Sequence, residues 1–164
     1  MKPGDFFIRR IQPEESFLLE EFLYQAIYLP KGAVPPPRSV VRLPELRVYI
    51  EDFGSRPGDL CLVAETEGQV VGAVWSRIMD DYGHLDDSTP SLAISLLPGY
   101  RGRGIGTQLL DSLLSLLWQK GFARASLSVQ KENPARRLYE RAGFRVVVEK
   151  GPEYVMLWEH PPAL

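Results

Sequence analysis

The chain has 164 residues, of which 45% are hydrophobic and 24% charged, with a net charge of −2. These values are typical of one globular domain spanning residues 1–164. A single cysteine, Cys61, excludes an intrachain disulfide, and no stretch approaches the roughly 18 apolar residues of a membrane span. Because residues 1–5 also lack the apolar core of a signal peptide, we expect a cytoplasmic protein.

The first half of the chain predicts a strand, two helices and a hairpin. Residues 6–11 alternate as a strand does, and residues 13–28 carry apolar side chains at helical spacing. The proline-rich stretch 29–37 excludes a helix or a central strand, and a short helix is predicted over 44–52. Two further strands, joined by the turn Thr66-Glu67-Gly68, are predicted over residues 60–65 and 69–78.

The second half predicts alternating strands and helices. An irregular polar segment, 79–90, leads into a strand over 91–97 and a helix over 105–120 that stops at Gly121. A strand over 125–129 precedes a short helix, which Asn133 would cap and Gly143 would end, and a final hairpin uses residues 144–149 and 154–158. The predicted order is β-α-α-β-β-β-α-β-α-β-β.

A glycine-rich turn lies between the strand at 91–97 and the long helix. Gly102, Gly104 and Gly106 remove side chains there, so several backbone N–H groups can point at one anion beside a helix N-terminus. The pattern predicts a phosphate or pyrophosphate site. It lacks the Gly-Lys-Ser/Thr of a nucleotide P-loop, and Thr107 stands where a dinucleotide fold would place its third glycine. A turn that serves only as helix entry is the remaining alternative.

Two motifs stand out in the second half of the chain. Arg101, Gly104 and Gly106 satisfy the pattern [RQ]-x-x-G-x-[GA], and residues 133–144 follow the pattern N-x-x-A-x-x-x-Y-x-x-x-G-F in outline, with Ala135 one position early. In both motifs the chain resembles the GNAT superfamily of acyl-CoA-dependent N-acyltransferases. The resemblance covers residues 60–150 clearly. It implies an α/β (α+β) fold, in which a mixed, mostly antiparallel sheet of about seven strands is flanked by four helices and splayed in the middle to admit acetyl-CoA.

The same resemblance implies how acetyl-CoA, the acetyl donor, would be held. Its pyrophosphate would lie on the glycine turn, and its pantetheine arm would pair with the backbone of the preceding strand, with the Leu96 N–H pointing at the thioester oxygen. Asn133 would contact the cofactor or act only as a helix cap. The implied cofactor-binding residues are Ile94, Ser95, Leu96, Arg101, Gly102, Arg103, Gly104, Ile105, Gly106, Thr107 and Asn133.

Tyr139 is the first catalytic candidate, because it matches the family tyrosine that protonates the coenzyme A thiolate. A phenol pKa of about 10 and a thiol pKa of about 8.5 differ little. The alternative is a tyrosine packed beside the sheet. The general base is less defined, since the strand 91–96 carries no carboxylate. His84 is the candidate on the neighbouring loop, because histidine titrates near pH 6.5; an idle histidine and water as the base are the alternatives.

The acceptor is predicted to be a primary amine, of a small molecule, an aminoglycoside-like compound, a polyamine, or a protein N-terminus or lysine. Residues 91–150 carry ten Lys or Arg and four Asp or Glu, whereas the remainder carries nine and seventeen. The basic part suits a polyanionic cofactor, and the acidic part suits a cationic acceptor or is only a solvated face. The acceptor site is expected around residues 24–38, 79–90 and 149–154.

Other modes of action receive little support from the residues. Cys61 has no motif partner for an acyl-enzyme route, so we expect direct transfer in a ternary complex. The two histidines, His84 and His160, lack metal-ligand spacing, and nucleic-acid binding is not expected of an acidic chain. A homodimer is left open, and a non-catalytic acyl-CoA sensor on the same fold is the rival function.

Overall fold

The computed structural model describes residues 5–161. A single seven-stranded sheet runs through it in the order β1-β2-β3-β4-β5-β7-β6. All neighbouring strands are antiparallel except β4 and β5, which run parallel. The strands are β1 Phe7–Arg10, β2 Leu60–Thr66, β3 Gln69–Arg77, β4 Ser91–Leu96, β5 Arg124–Gln130, β6 Arg145–Lys150 and β7 Glu153–Glu159.

Four α-helices flank this sheet, as the sequence predicts. They are α1 Leu18–Gln25, α2 Pro44–Arg47, α3 Ile105–Gln119 and α4 Arg136–Arg141, with two 3₁₀ helices at Pro13–Glu15 and Arg38–Arg42. The predicted order of strands and helices and the mixed, mostly antiparallel sheet are confirmed. Within residues 5–161, the longest helix is α3, and no helix has both the length and the apolar surface to cross a bilayer.

The predicted helix bounds are wrong at three places. The helix expected over 13–28 is divided, because the Glu15 carboxylate accepts hydrogen bonds from Arg9 on β1 and from the Gln12 N–H, which fixes Pro13–Glu15 as a separate 3₁₀ turn. The helix expected over 44–52 is α-helical only over Pro44–Arg47. Helix α4 begins after Asn133 has formed its own turn, since the Asn133 Oδ1 accepts the Ala135 N–H at 2.9 Å.

The two faces of the sheet bury separate cores. One face packs against α3 and α4 through residues such as Leu92, Leu109 and Tyr139. The other face packs against α1 and α2 through residues such as Phe22 and Trp75. Strand β4 shows the alternation, because its even-numbered side chains face α3, whereas the Ser95 hydroxyl donates to the Phe22 carbonyl of α1 at 2.6 Å.

The sheet opens between its two parallel strands. Within β4 and β5, the one register pair is Ser91 with Ser126, next to a hydrogen bond from the Ser126 N–H to the Pro90 carbonyl at 2.9 Å. By contrast, β3 stays in register with β4 over all six residues from Ser91 to Leu96. The strands therefore meet at one end and diverge toward the other, which confirms the predicted splay.

Candidate active site

A cavity of about 210 Å³ occupies the gap between β4 and β5. Residues from both faces of the sheet line it, so the cavity connects the α3–α4 side with the α1–α2 side. The lining on the first side includes Ile94, Leu110, Leu127, Val129 and Tyr139. The lining contributed by α1, α2 and the neighbouring loops comprises Leu23, Ala26, Ile27, Tyr28, Leu46, Tyr49 and Tyr82.

The edge of β4 presents backbone groups to this gap. The Leu97 N–H donates to the Val71 carbonyl of β3 at 2.9 Å, which fixes the odd-numbered residues as those bonded to β3. The N–H and C=O groups of Ile94 and Leu96 therefore point toward β5, where the described residues provide no paired strand. Ser95 differs from these two, since its backbone faces β3 and its side chain is buried against α1.

The glycine turn forms an exposed N-terminus for α3. Gly102 and Gly104 have φ values of +75° and +82°, a left-handed conformation that favours glycine, and Gly104 is the N-cap residue of the 15-residue helix. No other atom would meet a Cβ at either position, so the backbone is open to an approaching group. An exposed N-terminus of this kind attracts anions through its N–H groups and the helix dipole.

The other predicted residues of the turn differ in position. Arg101 is exposed and donates to the Leu96 carbonyl and to Gln25 Oε1, each at 3.2 Å, and the Arg103 guanidinium lies 5.4 Å from the ring centre of Tyr100. The remaining three residues open α3: Ile105 is buried in the core, Gly106 lies close to Leu138 and Leu96, and Thr107 is exposed. The two arginines leave the turn with positive charge on both sides of Gly102.

Tyr139 lines the cavity from α4. Its side chain is buried, and its ring makes an edge contact with Phe144 at 6.1 Å between centres. Its hydroxyl bonds to none of the other described residues. Burial raises the pKa of Tyr139 to about 12. The pKa gap to a thiol is therefore wider than the sequence suggests, which makes this phenol a hydrogen-bond donor that keeps its proton at neutral pH.

Asn133 and His84 have different relations to the cavity. Asn133 lines it, although its side-chain oxygen is engaged by the Ala135 N–H. His84 is not among the lining residues. Its Nε2 lies 3.6 Å from the Asp87 carboxylate, and its Nδ1 is buried without a hydrogen-bond partner among residues 5–161. The structure thus brings together Ile94, Tyr139 and Asn133 but leaves His84 outside.

Glu153, the first residue of β7, is the carboxylate that the sequence analysis missed. It lines the cavity and is half-buried. Burial raises the pKa of Glu153, the negative charge of Asp81 adds to this effect, and Lys150 partly opposes it. Only its place in the 149–154 turn pointed to it in the sequence, because no local motif surrounds it. A carboxyl group with a raised pKa in a cavity is suited to accept a proton.

Asp81 forms hydrogen bonds with Tyr49, which lines the cavity, and with Ser91 of β4. One of its carboxylate oxygens accepts the Tyr49 hydroxyl at 2.8 Å, and the other accepts the Ser91 hydroxyl at 2.8 Å. Burial and the Asp81 charge together raise the pKa of Tyr49, so its phenol stays protonated. The network links the lining residue Tyr49 to Ser91, the residue of β4 at which the two central strands still pair.

The part of the chain that the structure describes contains no candidate metal site. Residues 5–161 contain no group of three or more His, Cys, Asp or Glu side chains placed to hold a metal ion.

Cys61 is buried in β2, and burial raises the pKa of its thiol above the usual range. It lies in the core of the α1–α2 face, and the cavity lining does not include it.

Known proteins of similar sequence are acetyltransferases. A mycothiol acetyltransferase from Beutenbergia cavernae is 31% identical over 148 residues, which cover 88% of this chain and 47% of that protein. A [ribosomal protein bS18]-alanine N-acetyltransferase from Haemophilus influenzae is 43% identical over 63 residues, 38% of this chain and 42% of its own length. The chain thus spans less than half the length of the mycothiol acetyltransferase that it matches.

Solved structures with the same fold include two with the coenzyme bound. The PaiA N-acetyltransferase from Thermoplasma acidophilum, in complex with coenzyme A, superposes with a TM-score of 0.71 at 20% identity over 95% of this chain and 99% of that one. YncA from Salmonella typhimurium, with acetyl-CoA, gives a TM-score of 0.71 at 19% identity over 98% and 97%. The sequence model of the Acetyltransferase (GNAT) family matches residues 23–144, about three quarters of the chain. The chain therefore belongs to the GNAT acetyltransferase family.

Proposed function

We propose that this domain transfers an acetyl group from acetyl-CoA to a primary amine, directly and in a ternary complex. One observation carries the proposal: a single cavity connects the open edge of β4 and Tyr139 on one face of the sheet with Glu153 on the other. A donor and an acceptor that enter from opposite faces would meet in the gap between β4 and β5.

The donor is held mainly by backbone groups in this proposal. The pyrophosphate accepts hydrogen bonds from the turn 101–107, where Gly102 and Gly104 leave the N–H groups accessible. The pantetheine arm extends the sheet along Ile94 and Leu96, where it takes the place of a neighbouring strand against their outward backbone groups. The Leu96 N–H then faces the thioester oxygen and stabilises the negative charge that develops there.

The transfer itself needs a base on one side and a hydrogen-bond donor on the other. The amine nitrogen attacks the thioester carbon, the C–N bond forms, and Glu153 accepts the proton that nitrogen loses. The C–S bond then breaks, and the sulfur leaves with the electron pair as a thiolate that the Tyr139 hydroxyl stabilises by donating a hydrogen bond. Glu153 takes the role considered for His84, because Glu153 lines the cavity and His84 does not.

Calorimetric titration with acetyl-CoA, followed by thiol release with a panel of amines, tests this function. We expect binding and amine-dependent release of coenzyme A. In Tyr139→Phe, turnover should fall about 100-fold, since the stabiliser of the thiolate is lost, while acetyl-CoA affinity stays unchanged. Tyr24→Phe is the matched control: it removes a hydrogen bond to the Pro36 carbonyl outside the cavity and should leave turnover unchanged.

The outcomes separate the enzyme from its rival. Binding of acetyl-CoA without thiol release for any amine would favour a non-catalytic sensor on this fold. Unchanged turnover in Tyr139→Phe would remove this hydroxyl from the mechanism. Absence of binding would contradict the assignment of the glycine turn and the β4 edge to the donor.

A further inference from the structure

We propose that the acceptor is a small monoamine: one primary ammonium carried on an apolar body. This inference rests on the proposed acetyl transfer and narrows its acceptor. It follows from three properties of the cavity on the α1–α2 side, namely its charge, its surface and the contact between its walls.

The charge of the cavity provides for one ammonium group. Among the described residues that line it, Glu153 is the one carboxylate, and none is a lysine or an arginine. The other carboxylate that affects the pKa of Glu153 is Asp81, whose two oxygens are already engaged by Tyr49 and Ser91. A second ammonium on the acceptor would therefore be desolvated without an ionic partner, which is costly.

The surface beyond Glu153 suits an apolar body. Leu23, Ala26, Ile27 and Leu46 supply aliphatic contacts from α1, α2 and the segment after α1. Tyrosine rings from three separate segments complete this wall, and an alkyl or aryl chain can pack against them. These rings belong to Tyr28, Tyr49 and Tyr82.

A contact between the two walls of the cavity favours a small molecule over an extended chain. The Tyr28 hydroxyl donates to the Glu132 carbonyl at 3.2 Å, which ties the segment after α1 to the loop that carries Asn133. Both Tyr28 and Asn133 line the cavity, so this bond joins its two walls. The cavity of about 210 Å³ must also receive the acetyl thioester, which limits the acceptor further.

A matched pair of amines tests the charge argument. Hexylamine and 1,6-diaminohexane share a six-carbon chain and differ in the second ammonium. With acetyl-CoA saturating, kcat/KM from thiol release should be at least about tenfold higher for hexylamine. An unblocked alanine pentapeptide, the probe for a protein N-terminus, should be a poorer acceptor than hexylamine by a similar factor.

Two variants of Leu46 sharpen the test. Leu46→Glu places a second carboxylate on the acceptor wall and should shift the preference toward the diamine, whereas Leu46→Gln, which matches it in size but carries no charge, should not. A wild-type preference for the diamine or the peptide would overturn the inference and leave acetyl transfer intact. Failure of every amine to release thiol, despite acetyl-CoA binding, would overturn the proposed function and this inference together.

Discussion

The two sides of the split sheet contribute to one cavity in different ways. On the α3–α4 side, the groups assigned to the donor come from two short stretches, 94–107 and 133–139, and most of them are backbone groups. On the α1–α2 side, the residues assigned to the acceptor come from positions as distant as Tyr28, Tyr49 and Glu153, and they act through side chains. A donor site of this kind depends on local conformation, whereas the acceptor site depends on the tertiary fold.

The largest expected effect is on the donor side alone, at Gly104. Gly104→Glu should lower acetyl-CoA affinity by more than about 100-fold in calorimetry, because a carboxylate would stand at the proposed pyrophosphate site. Its left-handed φ of +82° adds strain of about 1–2 kcal/mol for any L-residue. Gly104→Ala measures this strain without the charge.

A second control for this variant lies at the other end of α3. Gly121 also has a positive φ, +94°, and open space around it, so Gly121→Glu matches the strain and the charge away from the cavity. It should bind acetyl-CoA like the wild type. Equal affinity in Gly104→Glu and Gly121→Glu would place the pyrophosphate elsewhere.

The next effect belongs to the acceptor side, at Glu153. Glu153→Gln should lower kcat about 100-fold with unchanged acetyl-CoA affinity, and the acidic limb of the pH profile should disappear, since this limb reports Glu153 ionisation. Because its folded pKa is raised, folding stability falls as the pH rises through that pKa. At neutral pH the variant should therefore unfold at the same temperature as the wild type or higher.

Glu159→Gln is the matched control for Glu153→Gln. Glu159 lies at the opposite end of β7, is exposed and pairs with Arg145. Its replacement should leave the pH profile of kcat/KM unchanged. An acidic limb that survives in Glu153→Gln would assign the base to water or to another group.

The difference between local and non-local contacts explains which features of the site the sequence could predict. The turn at Gly102 and Gly104, the strand before it and Tyr139 follow from spacing within single stretches, and all were located correctly on strand, turn and helix. No motif in the sequence pointed to Glu153, because its place in the cavity depends on β7 lying beside β5, a non-local pairing. The loop 79–90 was predicted to be part of the acceptor site, and its Tyr82 lines the cavity, whereas the His84 side chain lies beside Asp87.

Helix bounds failed for a related reason. The 13–28 stretch has helical spacing throughout, but the division after Glu15 depends on Arg9, a residue of β1. Periodicity within one segment cannot report such a contact. Strands β2 and β3, by contrast, were predicted nearly to their observed ends because their hairpin turn is local.

A smaller effect on activity, with a large effect on stability, is expected at Arg77. Arg77 and Asp59 form a fully buried ion pair at 2.8 Å, and the Arg77 guanidinium also donates to the carbonyls of Val48 and Glu51, on either side of Tyr49. Arg77→Met leaves the Asp59 charge buried and should lower the free energy of unfolding by about 3–5 kcal/mol.

The functional effect of Arg77→Met should appear only on the acceptor side. Loosening the segment around Tyr49 should raise KM for the amine several-fold, while the dissociation constant of acetyl-CoA stays unchanged. The double variant Asp59→Asn, Arg77→Met also removes the unpaired negative charge of Asp59, so it should recover part of the lost free energy of unfolding in chemical denaturation. An equal loss of acetyl-CoA affinity would show that the two sides are not independent.

The smallest expected effect is at Asp81, whose hydrogen bonds link Tyr49 on the acceptor side of the cavity to Ser91 on β4. Its charge raises the pKa of Glu153, so Asp81→Asn should move the acidic limb of kcat/KM to lower pH. An asparagine can still accept from Ser91 and donate to the Tyr49 oxygen, which preserves the geometry of the network. Acetyl-CoA affinity should not change, although Ser91 lies where β4 and β5 meet. An acidic limb that does not move would mean that Asp81 affects Tyr49 but not the pKa of Glu153. Reduced acetyl-CoA affinity would mean that the junction of β4 and β5 at Ser91 also determines the width of the gap that admits the donor.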